Sequence, residues 1–192
     1  MASLMGGRPG GSTFTRPSPD RGTVIRTLLT MVTLVSMTIL QTSAMPFFPV
    51  LGIRADLVLI FIAIWATVAR GTRILFWAVA AGLFLDLSSG TPTGTNMMAL
   101  TLAAYVAAMG GAGMFRTNLP WALAAVASGT LVYYPISMIL LAAQGFAVPW
   151  GSAFTTTLPL AIAVNLAATL ALYWPITLLE RLTRGRRPYR IL

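Results

Sequence analysis

The sequence predicts an all-α integral membrane protein, a six-transmembrane-helix bundle with both termini cytoplasmic. Three observations carry that prediction. Of 192 residues, 57% are hydrophobic and only 9% are charged. A soluble domain holds about 25% charged and about 45–50% apolar residues, so too few ionisable groups exist here to coat a water-facing surface. The few charges are also sorted along the chain, leaving uncharged runs at 27–53, 57–69, 74–85, 87–115 and 117–179. Finally, threading six spans through these runs puts every one of the 13 basic residues, all arginines, on one side except Arg54. Loop arginines mark the cytoplasmic side, so both tails are expected there, with outer loops at 46–56, 86–95 and 144–153.

The spans follow in order. A bilayer core requires about 20 apolar residues rising about 1.5 Å each. The first span runs from roughly Thr27 to Met45 and is ended by Pro46-Phe47-Phe48-Pro49. Thr42-Ser43-Ala44 loosely matches a signal-peptide cleavage site, but Pro46 crowds the cut and the preceding tail is long, so the span is expected to be retained. The runs 57–69 and 74–85 are short, and two arrangements suit them. A re-entrant hairpin with Arg70-Gly71-Thr72-Arg73 at its tip buries two arginines, at about 2.5–3.5 kcal/mol each. Two full spans instead draw Arg54, Asp56 and Asp86 to the outer boundary while the inner arginines snorkel. We take two spans. The fourth covers roughly Thr95–Phe115, and 117–179 supplies two more, broken at Gln144–Gly151 by Gly, Pro and an interfacial Trp.

Residues 1–25 form a Gly- and Pro-rich tail expected to be disordered, 26–182 the six-span membrane domain, and 183–192 a basic cytoplasmic tail. The arginines of that second tail suit anionic lipid rather than nucleic acid, for which no folded module is present. Small residues recur at four-residue spacing in Ala78/Gly82/Asp86, Ala103/Ala107/Gly111 and Ala163/Ala167/Ala171. Such faces let helices approach closely; internal packing is the expected use, docking of another membrane protein the alternative. Pro135, Pro159 and Pro175 suggest kinks, and Asn165 and Tyr105 are expected to be packing contacts.

Asp86 is the candidate for function, because a carboxylate at membrane depth is a functional candidate by default. It precedes Leu87-Ser88-Ser89-Gly90-Thr91-Pro92-Thr93-Gly94-Thr95-Asn96. Its structural alternative is to accept hydrogen bonds from the amides of Ser88, Ser89 or Gly90, with the residues at 93–96 capping the next helix. Arg54 and Asp56 share its predicted side, so a self-neutralising cluster Arg54–Asp56–Asp86 is expected. Catalysis is not. The sequence has no cysteine, histidine or lysine, and no serine with a recognisable base; Asp20 and Glu180 face the cytoplasm. No metal site, phosphate loop or cofactor is expected.

Together, Leu40-Gln41, Pro46, Leu51-Gly52-Ile53-Arg54-Ala55-Asp56-Leu57, Arg70-Gly71 and Gly82-Leu83-Phe84-Leu85-Asp86-Leu87-Ser88-Ser89-Gly90 with Gly94-Thr95-Asn96 resemble the bacterial rod shape-determining protein MreD family. The likeness spans roughly 26–182, its specific motifs lie within about 40–96, and Ala55 stands where the family commonly has Pro. The resemblance implies a non-enzymatic inner-membrane scaffold subunit of the cell-elongation complex. That subunit binds the single-span protein MreC and connects to MreB filaments and the peptidoglycan synthase, supporting cell-wall growth and cell shape. Arg54, Asp56, Gly82, Asp86, Gly90, Gly94 and Asn96 are then its structural or partner-binding centre, with Ala103, Ala107 and Gly111 packing helices. The family is also similar to the six-helix substrate-binding subunits of energy-coupling-factor vitamin transporters. A small-molecule-binding transport subunit is therefore the alternative function.

Overall fold

The computed structural model describes residues 21–47, 49, 52–68, 73–110 and 118–183. Among these, the regular structure is helical: α1 (Arg21–Ile39), α2 (Leu57–Val68), α3 (Arg73–Ser89), α4 (Thr95–Gly110), α5 (Leu119–Ala143), a single turn α6 (Trp150–Ser152) and α7 (Leu158–Thr183). The helix α1 begins at Arg21, inside the segment expected to be a tail. The protein is an all-α membrane protein. Three segments, Thr27–Phe47, Leu119–Ala143 and Trp150–Leu178, are long and apolar enough to cross a bilayer, whereas Leu57–Thr67 and Thr95–Met109 are shorter apolar helices.

The short helix α2 forms the core. Its sequence, LVLIFIAIWATV, is apolar on every side, the pattern of a helix enclosed by others. Val58, Ile60, Ile62 and Ile64 are fully buried, and α2 touches α1, α3, α4, α5 and α7. The most extensive pairing is α4 against α5. Small residues permit it: Ala99, Ala103 and Ala107 on α4, with Ala122, Ala125 and Gly129 on α5, are all buried. The expected packing role of Ala103 and Ala107 is thus met, while Gly111 lies outside the described residues. Ala163, Ala167 and Ala171 go the other way. They are exposed, because α7 turns Ala161, Val164, Asn165 and Thr169 inward instead.

Two π-turns interrupt the long helices, at Leu40–Ala44 and Ala153–Thr157. Each stands just before a proline, Pro46 and Pro159. A proline in a helix clashes with the carbonyl four residues earlier and donates no hydrogen bond. Widening the turn accommodates that ring, and Met45 N–H then bonds Leu40 O while Leu158 N–H bonds Ala153 O. Pro135 and Pro175 lie inside α5 and α7.

The connection expected at 86–95 is shorter than anticipated. The helix α3 continues to Ser89, so Asp86 belongs to a helix rather than a loop. Gly90 and Gly94 take left-handed φ values of 67° and 101°, which a residue with a Cβ adopts only with strain. They turn the chain sharply into α4.

Candidate functional site

Every helix N-terminus leaves backbone N–H groups without intrahelical partners, and in hydrocarbon no water replaces them. Both α2 and α4 begin inside the bundle, and both are capped by side chains from elsewhere.

For α4 the cap is Asp86. Oδ2 accepts from the amides of Gly94 (2.8 Å) and Met97 (3.2 Å), and Oδ1 from the amide of Asn96 (2.9 Å) and the hydroxyl of Thr91 (3.2 Å). Asp86 is 3% exposed. A carboxylate facing a helix N-terminus combines charge-assisted hydrogen bonds with a favourable macrodipole. Gly82, one turn earlier, makes the approach possible. A methyl at Gly82 would overlap Met97 Cα and stand 2.7 Å from Asn96 O and Met97 N. Backbone therefore lies against backbone where α3 meets α4, which brings Asp86 within reach of three amides.

The expected partners of Asp86 are corrected by this geometry. The amides of Ser88 and Ser89 belong to a helix that runs on past Asp86, so the carboxylate turns across to α4. The Ser89 hydroxyl bonds back to Leu85 O at 2.6 Å and meets Thr91 at 2.9 Å. Asn96 donates to Thr91 Oγ1 at 2.8 Å and accepts from the Tyr133 hydroxyl, tying the turn to α5. Gln144 adds a second tie, donating to Thr95 Oγ1 at 3.1 Å.

For α2 the caps are two neutral amides. Gln41, in the π-turn after α1, accepts from Val58 N–H at 2.8 Å. Asn165, on α7, accepts from Asp56 N–H at 2.9 Å. The same Asn165 donates to Asp56 Oδ2 (3.2 Å) and Thr130 Oγ1 (3.1 Å). Tyr134 donates its hydroxyl to Asp56 Oδ2 at 2.9 Å. Asn165, Thr130 and Thr169 are completely buried, and Thr169 satisfies its own hydroxyl on Asn165 O at 2.7 Å. Asn165 is therefore the packing contact expected of it. Tyr105 is not: it is 51% exposed.

The predicted triad Arg54–Asp56–Asp86 does not assemble. Arg54 is exposed, and among the described residues no ion pair joins it to either carboxylate. Asp86 caps α4 while Asp56 stands at the start of α2, and both carboxylates take neutral donors in place of a cation. What links them is the adjacent pair Tyr133-Tyr134, whose rings meet edge to face with centroids 5.8 Å apart. One hydroxyl goes to the Asp86 turn and the other to Asp56. Sequence reasoning missed both tyrosines, Thr130 and Gln144. The available signal was their polarity within the uncharged run 117–179.

A family model described as rod shape-determining protein MreD matches residues 22–183. The chain belongs to the MreD family. The matched region contains every capping side chain above, from Gln41 to Asn165, and MreD membership makes this a cell-shape-related membrane protein. No curated protein matches the chain. No solved structure matches it either.

Proposed function

We propose that this MreD-family chain is a non-catalytic scaffold subunit of bacterial cell elongation. It lies in the inner membrane with six spans and both termini cytoplasmic. It binds an MreC-like single-span protein, and through that partner joins MreB filaments and the peptidoglycan synthase. One observation supports an architectural rather than a chemical role: the oxygens of Asp86 are engaged by the Gly94, Asn96 and Met97 amides and the Thr91 hydroxyl. A carboxylate occupied in this way holds two helices together. The short length of α2 agrees with six spans, because a helix enclosed by others needs no lipid-facing surface about 30 Å long.

The test is co-purification of the tagged chain with its MreC-like partner in detergent, beside restoration of rod shape in cells lacking the MreD-family gene. Asp86→Ala is expected to abolish co-purification, or folding itself. Wild-type behaviour in both assays refutes the role of Asp86. A rise in melting temperature with a vitamin-sized ligand, and no partner in the pull-down, supports the transport subunit instead.

A further inference from the structure

The start of α2 stands at the bottom of a recess. Tyr134 and Asn165 reach Asp56 and Gln41 reaches Val58, so these side chains mark the level at which α2 begins. Beyond that level α5 continues from Tyr134 to Ala143, about 13 Å, and the helical run that starts at Trp150 descends about 22 Å before it comes to Asn165. Among the described residues the chain enters this space as the non-helical segment 52–56, in which Gly52 and Arg54 are exposed and Ile53, Ala55 and Asp56 half-buried. The helix α5 registers the opening: Ala122, Ala125, Val126, Gly129 and Thr130 are buried, whereas no residue from 131 to 143 is.

Two polar atoms at this recess lack partners. Asp56 receives both of its donors on Oδ2, while Oδ1 accepts nothing among the described residues and stays accessible. The second atom is Ser137 Oγ, which among the described residues is the one buried side-chain oxygen or nitrogen without a hydrogen bond. Thr101, Thr130 and Thr169 satisfy their hydroxyls on the carbonyl four residues back; Ser137 does not. It follows Tyr133 by four residues and Tyr134 by three, so helical geometry sets it between them, one turn nearer the open end. A buried hydroxyl without a partner and a carboxylate with no cation are both unfavourable.

We propose that the recess binds a primary ammonium group, which donates one N–H to Asp56 Oδ1 and another to Ser137 Oγ. The open atoms select this chemistry. A hard metal cation gathers about six or more oxygens, and here one carboxylate oxygen and one hydroxyl are open. A guanidinium pairs best with both oxygens of a carboxylate, and Oδ2 is already occupied. An ammonium carries three donors with no fixed fork between them. Its source is the headgroup of phosphatidylethanolamine or a free amine. The site is separate from Asp86, so the inference does not depend on the scaffold reading.

The test equilibrates the full chain in mild detergent with equal amounts of phosphatidylethanolamine and phosphatidylcholine, whose trimethylated headgroup has no N–H to donate. Retained lipid is read by native mass spectrometry, and melting temperature is followed with added ethanolamine. Wild type is expected to retain phosphatidylethanolamine about ten-fold over phosphatidylcholine, the effect of one charge-assisted hydrogen bond. Asp56→Asn keeps the shape, removes the charge and should abolish the preference. Ser137→Ala should weaken it about three-fold, while the lipid-free chain melts no lower than wild type, since the hydroxyl holds nothing within it. Equal retention of the two lipids, with ethanolamine raising the melting temperature of wild type but not of Asp56→Asn, supports the free amine as the source. Equal retention with no response to ethanolamine overturns the site. So does a preference that survives Ser137→Ala undiminished, or a lowered melting temperature in that lipid-free variant. Co-purification with the single-span protein is a separate readout that tests the scaffold reading alone.

Discussion

Replacing Gly82 with alanine tests the α3–α4 junction most directly. The new methyl would overlap Met97 Cα and stand 2.7 Å from Asn96 O and from Met97 N. Non-bonded heavy atoms settle at about 3.5–4.0 Å, so α4 must retreat from α3 by about 1 Å. The obstacle is backbone on a helix, which has no rotamer to yield. Asp86 is attached to α3 and its acceptors are tuned to the present spacing. Its bond to Met97 N–H, now 3.2 Å, would pass beyond hydrogen-bonding range, and those to Gly94 and Asn96 would stretch. Hydrogen bonds to charged groups contribute about 1.5–3 kcal/mol each, and overpacking adds about 1–3 kcal/mol. We expect a loss of about 3–5 kcal/mol, which at about 3 °C per kcal/mol lowers the midpoint by roughly 10–15 °C. The assay is thermal unfolding in mild detergent, followed by tryptophan fluorescence. Gly129→Ala is the control: its methyl would meet Leu59 Cδ1 at 3.7 Å and Ala63 Cβ at 3.8 Å, ordinary contacts. It should be neutral or gain about 0.5–1 kcal/mol from the stiffer backbone. If Gly82→Ala melts within about 2 °C of wild type, the close approach is not what seats Asp86.

Other expectations concern the caps. Asn165→Leu strands the Asp56 amide and removes a donor from its carboxylate; it should destabilise by about 3 kcal/mol or more, measured by the same unfolding assay. Gln41→Leu leaves only the Val58 amide bare, a loss of about 1–3 kcal/mol, and faster hydrogen exchange at Val58 should localise it. Tyr133→Phe and Tyr134→Phe remove single hydroxyls from the two turns, each costing about 1–3 kcal/mol. If the adjacent rings couple the turns, a double-mutant cycle gives a non-additive term of at least about 0.5 kcal/mol, and strict additivity shows two independent anchors.

Much of the architecture was legible because the bilayer restricts what a chain can do. Uncharged runs located the helices and Pro159 marks the π-turn before α7, whereas α5 and α7 run on through Pro135 and Pro175; Ala78, Gly82 and Asp86 do share one buried face of α3. The partners of the carboxylates were not legible. Asp86 was assigned the nearest amides in sequence, but a helix that continues past it has already used them. A shared membrane side groups Asp56 with Arg54 and Asp86, whereas its donors come from Tyr134 and Asn165, residues brought beside it only by packing of α5 and α7 around α2. Charge counting finds ions and overlooks the neutral amides and phenols that satisfy them. The resemblance contained Gln41, yet nothing local to Gln41 reveals that its oxygen meets Val58 N–H.

The origin of the caps also orders assembly in time. The helix α4 is capped by Asp86 from the helix made just before it, so the α3–α4 hairpin becomes self-sufficient early. The start of α2 depends on Gln41, which precedes it, and on Asn165, which lies far downstream in α7. Until α7 leaves the ribosome and docks, the Asp56 amide has no Asn165 to receive it, and the enclosed helix α2 remains open on one side. A chain halted before position 165 should therefore hold a formed hairpin beside an unfinished centre, and α7 is the helix that closes the start of α2.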